Sequence, residues 1–127
     1  MVACGDDLDF TPEVGRWDVG VPDEYAEGDL RFFEDGPILV GRDAGGLYAM
    51  SAICTHRACH IGDEFEEILP EFDEIECNCH HSKFTKNGEP TELPALKALQ
   101  HYLVTFEDGR LIVDTGIEAA LEDRLTV

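Results

Sequence analysis

Short apolar runs broken by Gly, Asp or Pro recur along most of the chain. Arg16-Trp17-Asp18-Val19-Gly20, Asp29–Phe33 and Pro37–Arg42 have the length and boundaries of strands. Asp43-Ala44-Gly45-Gly46 turns the chain into a further strand, Leu47–Ile53. Gln100–Phe106 and Arg110–Asp114 alternate apolar with polar positions on either side of Asp108-Gly109, so they predict a closing hairpin. Lys86-Asn87-Gly88-Glu89 is a second hairpin signal, because both central residues tolerate φ > 0. His101 and Tyr102 read as ordinary strand residues. Evenly spaced strands with Gly-rich turns predict an all-β, antiparallel sandwich or barrel.

Two stretches break this rhythm. From Gly62 to Glu76 the chain is strongly acidic. Phe65, Ile68, Leu69 and Phe72 have near-helical spacing there, but Pro70 would break a long helix. The expectation is a short turn or hairpin, then a strand over Glu74–Cys77. Near the C-terminus, Ile117, Leu121 and Leu125 are spaced four apart, which predicts a short helix packing those three. Residues 1–13, polar and acidic with Pro12, read as a flexible leader to one domain over 14–127. A chain of 127 residues is long enough to bury about two-thirds of its unfolded surface.

Charge narrows the partners. With 28 acidic against 9 basic residues the formal charge is −19, which argues against nucleic acid. Such acidity promotes solubility and can steer a basic cytochrome onto the surface, with the acidic stretch 62–76 as a candidate docking patch. A generally acidic proteome or a salt-adapted host accounts for the same charge. No run of about 18 apolar residues, the length a spanning helix needs, is present.

The chemistry concentrates in two clusters, Cys54-Thr55-His56-Arg57-Ala58-Cys59 and Cys77-Asn78-Cys79-His80-His81-Ser82. Each supplies thiolate and imidazole donors from a short segment. Twenty residues separate His56 from Cys77, so two half-sites can close over one metal centre between adjacent loops. Spacing alone leaves alternatives open. Two Cys and two His also make a structural zinc site, and Cys79-x-His81 offers a second C-x-H register.

With their flanks, Ile53-Cys54-Thr55-His56-x-x-Cys59 and Cys77-x-Cys79-His80-x-Ser82-x-Phe84, these segments resemble the Rieske [2Fe–2S] family. The likeness is to its disulfide-containing branch, which includes iron–sulfur subunits of cytochrome bc-type quinol oxidases and of molybdenum oxidases such as arsenite oxidase. It runs from about Leu47 to Val113. It implies one [2Fe–2S] cluster, with Cys54 and Cys77 on the inner iron, His56 and His80 on the outer iron, and a Cys59–Cys79 disulfide bridging the loops. His60 and His81 are then non-ligands. The implied architecture is a cluster-binding subdomain, about 53–90, inserted into an antiparallel β base.

Exchanging two thiolates for two imidazoles makes such a cluster less negative. Its potential rises to about −150 to +300 mV, against about −400 mV for an all-Cys plant-type cluster. The ring N–H of an exposed ligand His is acidified by oxidised iron, so proton and electron uptake couple. Ser82 matches the family serine whose hydroxyl donates to a bridging sulfide, and so raises the potential. Phe84 stands where high-potential members have Tyr, and a phenyl ring has no donor for a ligand sulfur. The resemblance thus implies a potential below the quinol-oxidase members and above the ferredoxins of ring-hydroxylating oxygenases. Pro94–Tyr102 resembles the proline-containing loop that covers the cluster's third side, with Pro94 fixing φ. Arg57 and His81 replace an apolar residue and a Gly beside the ligand histidines, and both lean away from docking against a quinone pocket.

Of the five cysteines, two ligands and one disulfide pair leave Cys4. A structural disulfide implies an oxidising compartment. Val2-Ala3-Cys4 before a polar stretch resembles the end of a bacterial lipoprotein signal without its apolar segment, while a free Cys in a frayed terminus is the other reading. The expected function is one-electron transfer between a quinol pool or partner oxidase and a c-type cytochrome. The expected place is outside the cytoplasm, periplasmic or anchored on the outer side of the membrane. Two alternatives are the small iron–sulfur subunit of a quinol or molybdenum oxidoreductase and a structural zinc module. A ferredoxin feeding a ring-hydroxylating oxygenase fits less well, because that branch lacks the Cys59/Cys79 pair. The residues show no substrate-turnover machinery of their own.

Overall fold

The computed structural model describes residues 14–34, 37–53, 67–68, 74–76, 83–92 and 98–127. The strands are β1 Arg16–Asp18, β2 Leu30–Phe33, β3 Ile38–Asp43, β4 Gly46–Ser51, β5 Glu67–Ile68, β6 Glu74–Glu76, β7 Lys83–Thr85, β8 Pro90–Glu92, β9 His101–Glu107 and β10 Arg110–Ala119. Apart from a single 3-10 turn at Pro22–Glu24, the described residues carry no helix. The fold is all-β and antiparallel, as the alternation predicts.

Seven strands form one sheet in the order β1-β10-β9-β4-β3-β2-β5, and β6-β7-β8 form a second. The central strands are apolar on both faces because both faces are covered. Along β4, Leu47 and Ala49 join one buried cluster with Ile38, Val40, Tyr102, Val104, Leu111 and Val113. Tyr48 and Met50, one step out of phase, join the other with Leu30, Leu39, Ala52, Phe84 and Leu99. The second cluster holds the small sheet against the large one, since Phe84 belongs to β7 and is fully buried.

The two turn signals resolve differently. Glu107 pairs with Arg110, and both Asp108 (φ 51°) and Gly109 (φ 80°) are left-handed, as a two-residue hairpin requires. Between β7 and β8 only Gly88 is left-handed (φ 87°). Gly88 N–H donates to the Thr85 carbonyl at 2.8 Å and Thr85 N–H to the Glu89 carbonyl at 2.8 Å. This is a three-residue loop closed by a left-handed glycine, not the two-residue turn that Asn-Gly suggests.

The expected C-terminal helix is absent. Strand β10 continues to Ala119, pairing Glu118 with Tyr102 and Ala119 with His101 after an irregularity that follows Asp114. Ile117 is about half exposed, and Leu125 instead pairs with Leu47 by mutual backbone bonds of 2.8 Å. Pairing along β9 and β4 satisfies more backbone groups than one isolated helical turn, which is marginal alone. The strand expected at Glu74–Cys77 forms over Glu74–Glu76, and β5 pairs Ile68 with Leu30. The leader 1–13 lies outside the described residues.

Candidate metal centre

The second Cys/His segment is bracketed by a hairpin. In β6 and β7, Glu74 opposes Thr85, Ile75 opposes Phe84 and Glu76 opposes Lys83. Cys77 follows Glu76 directly and Ser82 precedes Lys83 directly, so segment 77–82 is flanked in sequence by two paired strand residues about 5 Å apart. The first segment leaves the large sheet just beyond β4. Ser51 N–H donates to the Gln100 carbonyl at 2.8 Å, Ala52 N–H to the Pro37 carbonyl at 3.1 Å, and Ile53 N–H to Ser51 Oγ at 3.1 Å. Ala52 and Ile53 are buried, and Cys54 comes next.

Of the residues expected at the site, Phe84 is described. Cys54, His56, Cys59, Cys77, Cys79, His80, Ser82 and Pro94 lie outside the described residues, as do Cys4, Arg57, His60 and His81. Phe84 shares one cluster with Met50 and Ala52, so the return strand of the second segment and the strand delivering the first are packed into one core. Burying a side chain of this size contributes about 1.5–3 kcal/mol.

A polar network, not legible in the sequence, fastens the far end of the same hairpin. Arg124 is its centre. Its Nε and Nη2 donate to the Asp43 carboxylate at 2.9–3.0 Å, and Nη2 also donates to Asn87 Oδ1 at 2.6 Å. Its Nη1 donates to the Leu121 and Asp123 carbonyls at 2.8 Å. These bonds engage all five guanidinium N–H groups. The guanidinium lies 4.3 Å over the Tyr48 ring, and Tyr48 stacks on His101 at 5.7 Å. Tyr48 Oη donates to the Lys86 carbonyl at 2.7 Å, Asn87 Nδ2 to the Leu121 carbonyl at 3.0 Å, and Leu99 N–H to the Gly88 carbonyl at 2.8 Å. His101 Nε2 lies 2.7 Å from the Asn87 carbonyl, which makes Nε2 the protonated nitrogen.

The electrostatics follow from burial. The Tyr48 hydroxyl is pushed up to about 12, by burial first and then by the Asp43 carboxylate. The Arg124 guanidinium holds Asp43 below the usual carboxylate range. Burial lowers His101, outweighing the upward pull of the Asn87 carbonyl. A folded-state value below the unfolded one means that the unfolded chain takes up the proton first. This contribution to stability is therefore intact above about pH 6.5 and is lost as pH falls from there through the folded value. His101→Gln keeps a donor for the Asn87 carbonyl and removes the titration. Its thermal midpoint is expected to fall less steeply than the wild-type one below about pH 6.5; parallel curves would show that His101 is not the source.

Among the described residues no group of three or more His, Cys, Asp or Glu is arranged to hold a metal ion. The donor set flanking β4, β6 and β7 does fit an iron–sulfur centre. Two thiols and two imidazoles are the ligand types of a mixed Cys/His cluster, and the strands adjoining those segments are packed into one core. An all-β domain with such paired segments on strand ends defines a class of cluster-binding electron carriers.

The chain belongs to the Rieske [2Fe–2S] domain family, whose profile matches residues 16–103, more than half of it. The domain binds one [2Fe–2S] cluster and transfers electrons through it, which decides against the structural zinc module. The chain is 36% identical over 86 residues to the cytochrome b6-f complex iron-sulfur subunit of Chlorobaculum tepidum, covering 68% of this chain and 45% of that protein. It thus spans about half the length of the curated relatives it matches. A plasma membrane Rieske protein from the cyanobacterium Synechocystis shares the fold, with a TM-score of 0.60, 22% identity, and coverage of 77% of this chain and 98% of that one. The ferredoxin of carbazole 1,9a-dioxygenase from Nocardioides aromaticivorans superimposes with a TM-score of 0.55 at 27% identity, over 78% of this chain and 96% of that one.

Proposed function

We propose that this chain is an exported one-electron carrier between a quinol pool or partner oxidase and a c-type cytochrome. The observation that carries the reading is the shared core of Phe84, Met50 and Ala52, which packs together the strands bordering both Cys/His segments. Cys54 and Cys77 bind as thiolates, and His56 and His80 through ring nitrogens. A [2Fe–2S] cluster so held would supply one-electron chemistry at a potential above that of an all-Cys cluster. The free ring N–H of each ligand histidine holds the proton that travels with the electron. Ser82 would offer its hydroxyl to the cluster, Pro94 would restrict its own segment, and Cys59 and Cys79 would tie the two segments together. Segment 53–90 acts as the cluster-bearing subdomain.

The disulfide places the protein in an oxidising compartment, periplasmic or held at the outer face of the membrane. Among the described residues no helix is long and apolar enough to cross a membrane. Lipidation at Cys4 is the anchor proposed here. A second reading, consistent with the similarity to a cytochrome b6-f complex subunit, is a small redox subunit of a larger complex, which co-purification with a large subunit distinguishes.

His80→Cys tests the ligand assignment. Electron paramagnetic resonance of the dithionite-reduced variant is expected to depart from the two-Cys, two-His signature, with His56 as the remaining imidazole. Its potential should fall part of the way towards the all-Cys range of about −400 mV and its pH dependence should weaken. An unchanged spectrum would remove His80 from the ligand set.

A further inference from the structure

The cluster reading leaves the C-terminal segment 120–127 without a role, yet it supplies the most heavily bonded side chain near the hairpin. Arg124 is mostly buried, with 12% of its side chain exposed. It joins three parts of the chain: Asp43 at the β3–β4 turn, its own segment through Leu121 and Asp123, and the β7–β8 turn through Asn87. Asn87 is held from three sides, by Arg124 on Oδ1, by the Leu121 carbonyl on Nδ2 and by His101 on its own carbonyl. Nothing about a generic Asn-Gly hairpin needs this; the turn would close with any residue at 87 that accepts right-handed φ.

The bonds do have a mechanical consequence. β7 is three residues long and joins this turn to Ser82. At about 3.3 Å per residue, the clamped turn is about 10–13 Å from position 82. Phe84, midway, is fully buried and sets how deep the strand lies. A buried ring does not by itself stop the strand from sliding along its axis. The Arg124–Asn87 bond, charge-assisted and short, adds to the hold that the Tyr48–Lys86, His101–Asn87 and Leu99–Gly88 bonds exert on the same turn.

We propose that Arg124, acting through Asn87, is a positioning residue for the cluster: it fixes the axial placement of β7 and thereby of the Glu76/Lys83 end on which segment 77–82 stands. This rests on the assignment of Cys77 and His80 as ligands. The C-terminal segment is then part of the redox centre's support. A slack clamp lets the serine donor and the ligands at that end drift, which weakens the hydrogen bond favouring the reduced state and loosens the cluster.

The test uses the cluster-loaded full chain with Arg124→Gln and, independently, Asn87→Ser, which removes the acceptor side while keeping Arg124 paired to Asp43. Both are expected to shift the resonance line positions of the reduced protein, to lower the midpoint potential, and to speed cluster loss to a chelator by on the order of tenfold. Arg124→Lys should fall between Gln and wild type. The double variant should add little to Arg124→Gln in line positions and potential, since the Arg124–Asn87 contact is already gone there. Arg110→Gln, which breaks an exposed ion pair with Asp18, is the control and should leave the spectrum and potential unchanged. If Arg124→Gln does not fold, Asn87→Ser decides alone. A lower melting temperature with wild-type line positions and potential would reduce Arg124 to a purely structural role. A wild-type protein without a mixed Cys/His [2Fe–2S] signal would instead overturn the ligand assignment beneath it.

Discussion

Phe84→Ala is expected to cost about 3–5 kcal/mol and to strip the protein of most of its iron under conditions where the wild type retains it. The ring is completely buried among Leu30, Leu39, Tyr48, Met50, Ala52 and Leu99. Truncation removes its transfer free energy and leaves a cavity that strand backbones on two sheets cannot close. Against a typical domain stability of about 5–15 kcal/mol, that is a large share. The loss is also badly placed: the same cluster joins the strands next to both Cys/His segments. Thermal unfolding together with iron content measures both effects. Phe84→Leu, which keeps most of the volume, should lose markedly less. A truncation costing under about 1 kcal/mol would mean that the neighbours collapse onto the gap and that the two sheets are held by something else.

The second large effect is expected at Gly88. An alanine there must adopt φ 87°, and its Cβ would lie 2.8 Å from Met50 Sδ and 3.0 Å from Leu99 Cβ. The left-handed backbone costs about 1–2 kcal/mol. Met50 can swing its thioether aside, but Leu99 Cβ moves only with its backbone, so crowding adds about 1–3 kcal/mol. Gly109→Ala provides an internal comparison. Its φ is 80°, yet nothing lies within 4 Å of the added Cβ, so the backbone cost stands alone. Chemical or thermal denaturation of the two variants therefore separates conformational strain from close approach. Equal losses would show that Met50 and Leu99 yield freely and that the turn is not tightly seated.

The sequence makes the base domain readable where alternation and turn chemistry agree. Asp108-Gly109 between two alternating runs leaves one solution, and β2, β3 and β4 stand out as short apolar runs between Gly, Asp and Pro. The ligand segments are readable too, because few chemistries place two Cys/His pairs at such spacing. The failures have physical causes. Ile117, Leu121 and Leu125 carry a helical period that has no face to pack on; Glu118 and Ala119 instead extend the ladder along Tyr102 and His101, and Leu125 pairs with Leu47. Asn87 tolerates φ > 0, yet in its turn only Gly88 adopts it. The Asn87 side chain is drawn to Arg124 and its carbonyl to His101, contacts formed by residues far away in sequence. Arg124 itself carries no local signal, since its side-chain partners, Asp43 and Asn87, are brought to it only by the folded chain.

The described arginines have one more property in common. Arg16 reaches Glu107 and Asp114, Arg31 reaches Glu24, Arg110 reaches Asp18 and Arg124 reaches Asp43, while Arg42 binds the Pro22, Tyr25 and Val127 carbonyls. Each of these described guanidinium groups is thus locked to its own chain, and acidic residues outnumber basic ones by 28 to 9. Small anionic oxidants such as ferricyanide must climb a repulsive potential to reach the surface, whereas cationic dyes fall down it. Added salt, by shrinking the screening length to about 8 Å at physiological strength, brings the two kinds of reagent closer in speed.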